Sequence, residues 1–397
     1  MANTQKIPEL LAPAGSLEKL KIALSYGADA VYLGGQKYGL RAAADNFTNH
    51  ELTEAVEFAH SRSKQVYVVL NSFFFDSDFD DLLEFIKFLE RIKVDALIVS
   101  DLGVVDFIAL NSHIPIHLST QASCLNSESA KFWKDYGVKR LILGREVSII
   151  EAAKIKESTG LEVELFIHGS MCMSYSGNCT ISNFTQGRDS NRGGCSHSCR
   201  FDYDLTDSNN NKAAFFMSSK DLNGLSLIDD FIKYGIDSIK VEGRMKGPLY
   251  AATISKTYKE ALNYHQSQKT IDSAKLNYFQ NELNKFTHRS YFEGSLDSPA
   301  GLESVFDERD HTKNPARVFG TVIDVVDNEF FVIDSLTKVL PNSYIEILKF
   351  DEGIIKYKLE SLRDLNDQEL DSTRPNQLIK VPFIEGVAKN NLVRVVS

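Results

Sequence analysis

The feature that most constrains the fold is a repeated alternation of short apolar runs with segments of helical spacing, from Ile7 to about Val241. Eight runs have the length and composition of buried strands. They are Pro8–Ala12, Ala30–Leu33, Gln65–Leu70, Ala96–Ser100, Ile116–Leu118, Arg140–Leu143, Val163–Ile167 and Ser238–Val241. Because strict strand–helix alternation predicts a parallel sheet, and eight units in roughly 250 residues suit a closed barrel, we predict an α/β fold built on a (β/α)8 TIM-like barrel.

The segments between these runs have helical spacing and are preceded by residues that can cap a helix. They include Ser16–Tyr26, Thr48–Arg62, Asp80–Arg91, Ser127–Tyr136 and Val147–Glu157. A doubly wound open sheet is the alternative fold. It is disfavoured because no glycine-rich phosphate loop follows the first apolar run.

The pattern changes after Val241. Leu249–His265 and Ser267–Lys285 are predicted to be helices, and short alternating strands follow from Val318. The strands are Val318–Val325, Glu329–Ile333, Tyr344–Lys349 and Leu392–Val396, which together predict a small antiparallel β-barrel. We therefore divide the chain into a barrel domain at 1–285, a linker at 286–317 with the polar stretch Asp307–Pro315, and a C-terminal β-domain at 318–397.

The charge balance limits the surfaces that the protein can offer. The 44 basic and 54 acidic residues give a net charge of −10, which argues against a surface broadly dedicated to nucleic acid and leaves room for a local basic patch. The polar N-terminal residues Met1–Lys6 do not resemble a secretion signal, and the apolar runs are too short to span a membrane. We therefore expect a cytoplasmic protein.

Four of the five cysteines lie within 28 residues, from Cys172 to Cys199, separated by six, fifteen and three residues. They are Cys172, Cys179, Cys195 and Cys199. Their loop, 170–200, follows the seventh predicted strand. It would therefore lie at the carboxyl ends of the strands, which form the catalytic face of such a barrel. Its many glycines and serines would let the backbone wrap around a compact inorganic core.

Three interpretations of the four cysteines compete. Disulfides are the weakest, because a reducing compartment disfavours them. A structural zinc site usually has ligand pairs two to four residues apart, which only Cys195 and Cys199 satisfy. An iron–sulfur cluster tolerates wider spacing, but thiolate ligands suit both metals. Cys124 stands apart and is expected to be a small buried hydrophobe.

Charged and polar residues near the predicted strand ends are the candidate site. Those that a barrel would direct to one mouth are Gln121, Glu146, His168, Glu242 and Arg244. Catalytic roles are predicted for Gln121, His168, Glu242 and Arg244, although His168 could equally pack beneath the loop. Arg244 and Lys246 could clamp the carboxylates of a small acid or pair with Glu242.

Three arginines are interleaved with the cysteines. Arg188, Arg192 and Arg200 could lower the pKa of the thiols, offset the charge of a cluster or bind an anionic substrate. With Lys246, they are the predicted contacts to substrate or RNA.

Several motifs resemble the signature of peptidase family U-32, the collagenase-like peptidases of unassigned catalytic type. They are Glu164–Cys172 with Ser174–Cys179, Leu11–Gly15, Ser119–Gln121, Lys240–Lys246, and His288-Arg289 ahead of Gly294. The resemblance covers nearly the whole chain, and the cysteine signature is its most specific part.

The pair Cys195 and Cys199 with Arg200, and the C-terminal β-domain, are similar to one branch of that family, which makes 5-hydroxyuridine at the wobble position of tRNA. That resemblance implies a 4Fe-4S cluster on the four clustered cysteines, prephenate as co-substrate and the tRNA anticodon loop as partner. A sister branch acts in oxygen-independent ubiquinone hydroxylation and takes its fourth cysteine from further downstream. It is disfavoured because this chain has Asn223 in the comparable stretch.

Two other functions stay open at this point. The family name implies peptidase activity, and Ser170 or Ser174 beside His168 could be called a dyad, but catalytic triads are recognised by mutual hydrogen bonds rather than by adjacency in sequence. A non-catalytic RNA-binding protein with a structural cluster is the second alternative. Turnover on unmodified tRNA would distinguish an enzyme from such a binding protein.

Overall fold

The computed structural model describes residues 6–40, 45–206, 208–210, 212–213, 217–306 and 316–396. The N-terminal residues 1–5, the predicted polar link Asp307–Pro315 and Ser397 lie outside the described residues. Among the helices in these ranges, none combines the length and the apolar character needed to cross a lipid bilayer.

Within the described ranges, eight parallel strands form a closed barrel. They are β1 (Glu9–Pro13), β2 (Ala30–Leu33), β3 (Gln65–Leu70), β4 (Ala96–Val99), β5 (Ile116–Leu118), β6 (Arg140–Ile142), β7 (Glu162–Ser170) and β8 (Ser238–Val241). Neighbours in chain order pair in parallel, and β8 pairs with both β1 and β7, which closes the sheet. The predicted (β/α)8 TIM-like barrel is confirmed.

The strands form where the chain is apolar on both faces. In β3 and β4 every residue except Gln65 is buried. A parallel strand with helices outside it and packed side chains inside the barrel has no face in water, so its sequence is a continuous apolar run. Many of these residues are β-branched, which favours extended backbone.

Most of the helices connect barrel strands and cover the outside of the barrel. The helices are α1 (Leu17–Ser25), α2 (Asn49–His60), α3 (Leu82–Arg91), α4 (Leu102–Asn111), α5 (Ser127–Asp135), α6 (Ile149–Thr159), α7 (Ile181–Gln186), α8 (Ile228–Lys233), α9 (Pro248–Gln268) and α10 (Ser273–Leu283). Of these, α7 belongs to the cysteine loop at the mouth of the barrel, and α10 follows α9 after the last barrel strand. Ser16, Thr48 and Ser148 each accept a hydrogen bond from the backbone N–H three residues later and so cap α1, α2 and α6.

Strand β7 extends beyond the barrel and carries the chain to its mouth. Short strands beside this extension and the cysteine loop are Leu205–Thr206, Lys212–Ala213, Asp221–Asn223 and Tyr291–Phe292. The end of β7 pairs with Asp221–Asn223 in antiparallel fashion. Gly169 in this extension has φ +110°, and a Cβ there would lie 2.3 Å from the carbonyl oxygen of Glu242. Glycine therefore lets the start of the cysteine loop lie directly beside the end of β8.

The C-terminal region forms a separate antiparallel half-barrel. Its strands are β9 (Ala316–Val326), β10 (Phe330–Ser335), β11 (Tyr344–Leu348), β12 (Ile354–Lys358), β13 (Gln377–Pro382) and β14 (Leu392–Val396), in the spatial order β12-β11-β14-β9-β10-β13. It has its own apolar core, which includes Phe319, Phe331 and Ile345. The predicted antiparallel β-fold of this region is confirmed, while the division at 285 and 318 stays a prediction.

A buried group of charges joins this half-barrel to α10. Arg394 on β14 is fully buried, and its Nη2 lies 2.5 Å from Glu282 on α10 and 2.6 Å from Glu346 on β11. Lys285 adds a contact of 2.8 Å to Glu346. Although burial works to raise it, Arg394 and Lys285 hold the pKa of Glu346 below its ordinary value.

We expect Arg394→Met to destabilise the protein by about 3–5 kcal/mol, because removing one partner leaves buried carboxylates without compensation. Thermal and denaturant unfolding would measure the loss. Arg363→Met is the matched control, since Arg363 forms an exposed pair with Glu369 at 3.4 Å and should cost less than about 1 kcal/mol. Equal losses for the two variants would show that the buried group does not stabilise the protein.

Candidate functional site

A cavity of about 310 Å³ opens at the carboxyl ends of the barrel strands. Its walls include residues that follow different strands, among them Asn71 after β3, Gln121 after β5, Arg145 after β6 and Glu242 after β8. The cysteine loop after β7 also lines it. Side chains from separate strands meet at this end of a parallel barrel, so the cavity is the candidate functional site.

All four clustered cysteines line the cavity as free thiols. Cys172 is exposed, and Cys179, Cys195 and Cys199 are partly buried. Burial raises the pKa of the Cys199 thiol; Arg200 lowers it and the other three thiols raise it. Because all three act on Cys199 electrostatically, the four thiols are neighbours in space. Cys124 is fully buried in the barrel core, as expected from its isolation in the sequence.

The spacing of the thiols bears on the kind of metal group that they could hold. Within the part of the chain that the structure describes, no three His, Cys, Asp or Glu side chains are grouped as one bound ion would require. A structural zinc ion is held by four ligands at about 2.0–2.3 Å. All four thiols line the same cavity, and a cluster whose iron atoms each take a different thiolate could use all of them.

The first half of the cysteine loop is fixed to the barrel through Ser176. Its backbone N–H donates to Glu146 Oε1 at 3.0 Å, and its hydroxyl donates to Glu146 Oε2 at 3.1 Å. The Ser123 hydroxyl donates to the Ser176 carbonyl oxygen. Gly177, with φ +82°, packs against the backbone of Gln121. These contacts tie the loop to the turns that follow β5 and β6.

The second half of the loop is tied to the segment that follows β3. Arg192 donates to Asp78 and to the carbonyl oxygen of Phe73, both at 2.6 Å. The hydrogen bond from Arg192 is the main cause that holds the pKa of Asp78 below its usual range. The Asn191 side chain donates to the Cys179 carbonyl oxygen at 3.1 Å. Arg192 therefore anchors the loop, and its contact with RNA stays a prediction.

Gly177→Ala is expected to destabilise the protein by about 3 kcal/mol or more. The new Cβ would clash with the backbone of Gln121, and alanine would also be strained in the left-handed conformation that Gly177 adopts. A Cβ at this position would lie 2.0 Å from the Gln121 carbonyl oxygen. Gly187→Ala is the matched control: Gly187 has φ +60° but open space around a Cβ, so only about 1–2 kcal/mol of strain is expected. Thermal unfolding and the alkylation rate of the clustered thiols would measure both. Identical behaviour of the two variants would contradict tight packing of the loop on the β5 turn.

The cavity is cationic although the whole chain is acidic. Its lining cations in the described residues are Arg145, Arg200, Lys240, Arg244 and Lys246, against one lining carboxylate, Glu242. Burial lowers the pKa of Lys246. A cleft lined mainly by one sign of charge attracts ligands of the opposite sign, here thiolate-bound clusters, carboxylates or phosphates.

Arg244 lies in the cavity wall with only 4% of its surface exposed. Its Nη2 donates to Asn46 Oδ1 at 2.7 Å. Its guanidinium packs against Gly34 just after β2, where a Cβ would lie 2.7 Å from Nη2, and its carbonyl oxygen packs against Gly15. Arg244 thus reaches from the end of β8 across β1 to the end of β2.

A buried charge network holds Lys240 at the base of the cavity. Lys240 Nζ lies 3.0 Å from Glu164, which also contacts Arg140 at 3.3 Å, and Arg140 lies 2.6 Å from Glu9. Although burial works to raise it, Lys240 and Arg140 hold the pKa of Glu164 below its ordinary value. Lys240 Nζ also lies 4.0 Å from the centre of the Tyr32 ring. Lys240 is therefore paired with Glu164 at the base of the cavity and also lines the cavity itself.

His168 does not line the cavity. Its Nδ1 lies 3.1 Å from the Tyr258 hydroxyl and its Nε2 lies 3.5 Å from the Tyr291 hydroxyl, with the rings of Tyr250 and Phe286 also close. Burial lowers the pKa of His168 to about 3, so the imidazole is neutral at pH 7. This environment is that of a histidine packed beneath the loop. Its catalytic role stays a prediction.

The structure brings together most of the other predicted residues. Those that line the cavity are Gln121, Glu242, Arg244, Lys246, Arg200 and the four clustered cysteines. Arg188 is exposed and outside the cavity lining. Sequence reasoning did not single out Arg145, although its position just beyond β6, next to Glu146, is the signal that could have identified it.

Comparisons with known proteins agree with the motif resemblance. The family described as Peptidase family U32 matches residues 15–305. The chain is 38% identical over 405 residues to tRNA hydroxylation protein P1 of Bacillus subtilis, covering 98% of this chain and 95% of that protein. It is 39% identical to tRNA hydroxylation protein P of Helicobacter pylori, covering 72% and 71% of the two chains. It is 36% identical to the 23S rRNA 5-hydroxycytidine C2501 synthase of Escherichia coli, covering 64% and 39%. The chain belongs to peptidase family U32.

Proposed function

We propose that this protein is an iron–sulfur RNA hydroxylase that converts the wobble uridine of tRNA to 5-hydroxyuridine, with prephenate as co-substrate. The observation that carries the proposal is the convergence of four free thiols on one cationic cavity at the mouth of the barrel. Perturbed and charged groups gathered in one cleft are typical of catalytic sites.

The names of the relatives support the reaction type. Two relatives are named as tRNA hydroxylation proteins and a third as an rRNA 5-hydroxycytidine synthase. A hydroxyl group on C5 of a pyrimidine is the chemistry that 5-hydroxycytidine and 5-hydroxyuridine share. The relative of Bacillus subtilis matches over nearly the full length of both chains, so tRNA is the substrate that we favour.

Cys172, Cys179, Cys195 and Cys199 would hold a 4Fe-4S cluster. Their donor set is entirely thiol, as such clusters require. When bound, the cluster would supply one-electron redox chemistry to the cavity. The positive charges of Arg200 and Lys246 would offset the negative charge of the thiolates and sulfides.

The remaining cavity residues are suited to bind and orient the substrates. Arg244 and Lys246 would bind the carboxylates of prephenate, since a guanidinium can donate two parallel hydrogen bonds to a carboxylate. The Gln121 amide can both donate to and accept from the edge of a uracil ring. Glu242 lines the cavity, where its carboxylate could accept a proton from a ligand, and the Tyr32 hydroxyl donates to its Oε2 at 3.4 Å.

The peptidase alternative has no support from the described side chains. His168 is bonded to Tyr258 and Tyr291, whereas the Ser174 hydroxyl contacts the sulfur of Met173. A serine nucleophile requires a hydrogen bond to its base, and the proposed dyad does not form one here.

The proposal is tested by incubating anaerobically purified protein with tRNA from a deletion strain and prephenate, followed by mass spectrometry of the nucleosides. We expect a new nucleoside about one oxygen atom heavier than uridine, formed only when protein and prephenate are both present. Binding of tRNA without any such product would support a non-catalytic RNA-binding protein. Release of peptides from gelatin or casein, with tRNA left unchanged, would favour the peptidase.

Arg188→Ala is expected to weaken tRNA binding several-fold, because this exposed residue on the cysteine loop is available to contact a phosphate. Loss of one phosphate contact should make the negative slope of log K against log salt less steep by about 0.7–0.9. Filter binding over a range of salt concentrations measures both, with Arg91→Ala on the outer helix α3 as control. An unchanged slope would remove Arg188 from the RNA surface.

A further inference from the structure

Arg145 lies in the cavity wall, where its side chain is stacked on an aromatic ring and carries a donor without a partner in the part of the chain that the structure describes. Its guanidinium stacks on the ring of Phe166, with Cζ 4.0 Å from the ring centre. Its Nε is buried, and within the described residues it has no hydrogen-bond partner. Its backbone N–H donates to the Ser176 hydroxyl at 3.1 Å, which fixes Arg145 to the cysteine loop. The side chain is therefore held in position while part of its donor capacity is unused.

A buried donor without a partner is costly, and a water, an ion or a group of a bound ligand is an ordinary way to satisfy it. A guanidinium is always charged and carries five N–H donors in a planar fork. In a cavity with an excess of positive charge, the partner that fits this fork is an oxyanion of a bound ligand. Stacking on Phe166 orients the plane of the fork before the ligand arrives.

Arg145 and Arg244 lie on opposite sides of the barrel mouth. Arg145 follows β6, whereas the Arg244 guanidinium packs just after β2, and three strands separate β2 from β6 in either direction around the barrel. Lys240 lies between them, with Nζ 4.0 Å from the Tyr32 ring centre and 5.9 Å from the Phe166 ring centre. The cavity thus presents two arginines on opposed walls with an ammonium group in its floor.

We infer that Arg145 binds a second carboxylate of the small acid whose first carboxylate is bound by Arg244, and that it thereby selects a di-acid over a mono-acid. This inference rests on the proposed function. It deepens that proposal by assigning a specificity-determining residue on the far wall of the site.

A carboxylate is favoured over an RNA phosphate because of where Arg145 lies. The cavity has about 310 Å³, near the lower end of ligand pockets, which run from about 300 to 1,000 Å³. A flipped base can enter such a space, but the backbone phosphates stay at the surface. Arg145 stacks on Phe166, and both residues line the cavity.

The test measures binding of two probes by calorimetry, using cluster-loaded protein under anaerobic conditions. The probes are prephenate, with two carboxylates, and phenylpyruvate, with one. We expect the wild-type protein to bind prephenate at least about 10-fold more tightly, and Arg145→Gln to lose about 10- to 100-fold in prephenate affinity while its phenylpyruvate affinity changes little. Arg145→Lys should recover only part of the loss, because an ammonium group lacks the fork. Arg91→Gln on the outer face of α3 is the matched control.

Equal affinity of wild-type protein and Arg145→Gln for prephenate would overturn the inference, as would wild-type protein that fails to bind prephenate or does not prefer it to phenylpyruvate. Loss of tRNA affinity in Arg145→Gln with prephenate binding unchanged would also overturn it, in favour of a phosphate contact. Because these are binding measurements, they stand apart from turnover. Di-acid selectivity that depends on Arg145 in a protein without tRNA hydroxylation would reject the proposed function and keep this assignment.

Discussion

Replacement of Cys172, Cys179, Cys195 or Cys199 by serine is expected to remove the cluster and abolish RNA hydroxylation. The wild-type protein, purified without oxygen, should be brown and contain about four iron atoms per chain, the content of one 4Fe-4S cluster. Each variant should hold less than about one, because a serine hydroxyl is a poor ligand for iron in a site built for thiolates. All four thiols line the same cavity, so each loss should have a similar effect.

Cys124→Ser is the matched control. Cys124 is fully buried in the barrel core, away from the cavity lining, so its loss should cost some stability and leave iron content unchanged. Iron and acid-labile sulfide analysis, with the absorption spectrum, measures the outcome. A colourless wild-type protein with one zinc ion per chain would refute the cluster, as would a variant that keeps full iron content.

Arg244→Gln is expected to lower kcat/KM for RNA hydroxylation by about 100-fold. A hydrogen bond to a charged group contributes about 1.5–3 kcal/mol, and a bidentate arginine–carboxylate contact has two. Each 1.4 kcal/mol corresponds to about a tenfold change in affinity. The fall should appear mainly in the KM for prephenate, because the proposed role of Arg244 is to bind its carboxylate. Kinetics under anaerobic conditions at varied prephenate and saturating tRNA measure it.

Two checks separate this loss from misfolding. Arg244 is nearly buried and contacts Asn46, so iron content and the midpoint of thermal unfolding must be compared with the wild type. Arg317→Gln on the exposed face of β9 is the control substitution and should leave activity unchanged. Wild-type KM for prephenate in a folded, iron-loaded Arg244→Gln protein would place the carboxylate site elsewhere.

The barrel could be predicted from the sequence because its strands are buried on both faces and appear as apolar runs. Four of the eight predicted strands, including Gln65–Leu70, have the observed bounds, and the others differ only at their ends. In the half-barrel, β12 and β13 were not predicted. β12 is an edge strand without a fully buried side chain, so the alternation that indicates a strand is weak.

The sequence left two positions open for His168, in the cavity or beneath the loop, and could not decide between them because the outcome depends on an irregularity in strand pairing. β7 pairs with β8 through Phe166 and Lys240 and then through His168 and Val241, so Ile167 is an extra residue. Such a bulge changes the direction of the side chains beyond it. His168 consequently contacts Tyr258 on α9 rather than the cavity that Phe166 lines.

The four clustered cysteines could be identified from the sequence because they are close along the chain. The residues that the nearby arginines contact are distant in sequence, so those contacts could not be predicted. Arg192 pairs with Asp78, more than a hundred residues earlier. Arg145 stacks on Phe166, which belongs to another strand. Side chains that meet only through the closed barrel have no signal in local spacing, so the structure is needed to separate an anchor such as Arg192 from a ligand-binding group such as Arg145.

The most direct test of the central claim is mass spectrometry of tRNA nucleosides from a strain that lacks this gene, complemented with the wild-type gene, Cys195→Ser or Cys124→Ser. We predict that 5-hydroxyuridine and nucleosides derived from it are absent in the deletion strain, return with the wild type and Cys124→Ser, and stay absent with Cys195→Ser. Unchanged 5-hydroxyuridine in the deletion strain, or full restoration by Cys195→Ser, would contradict an iron–sulfur tRNA hydroxylase.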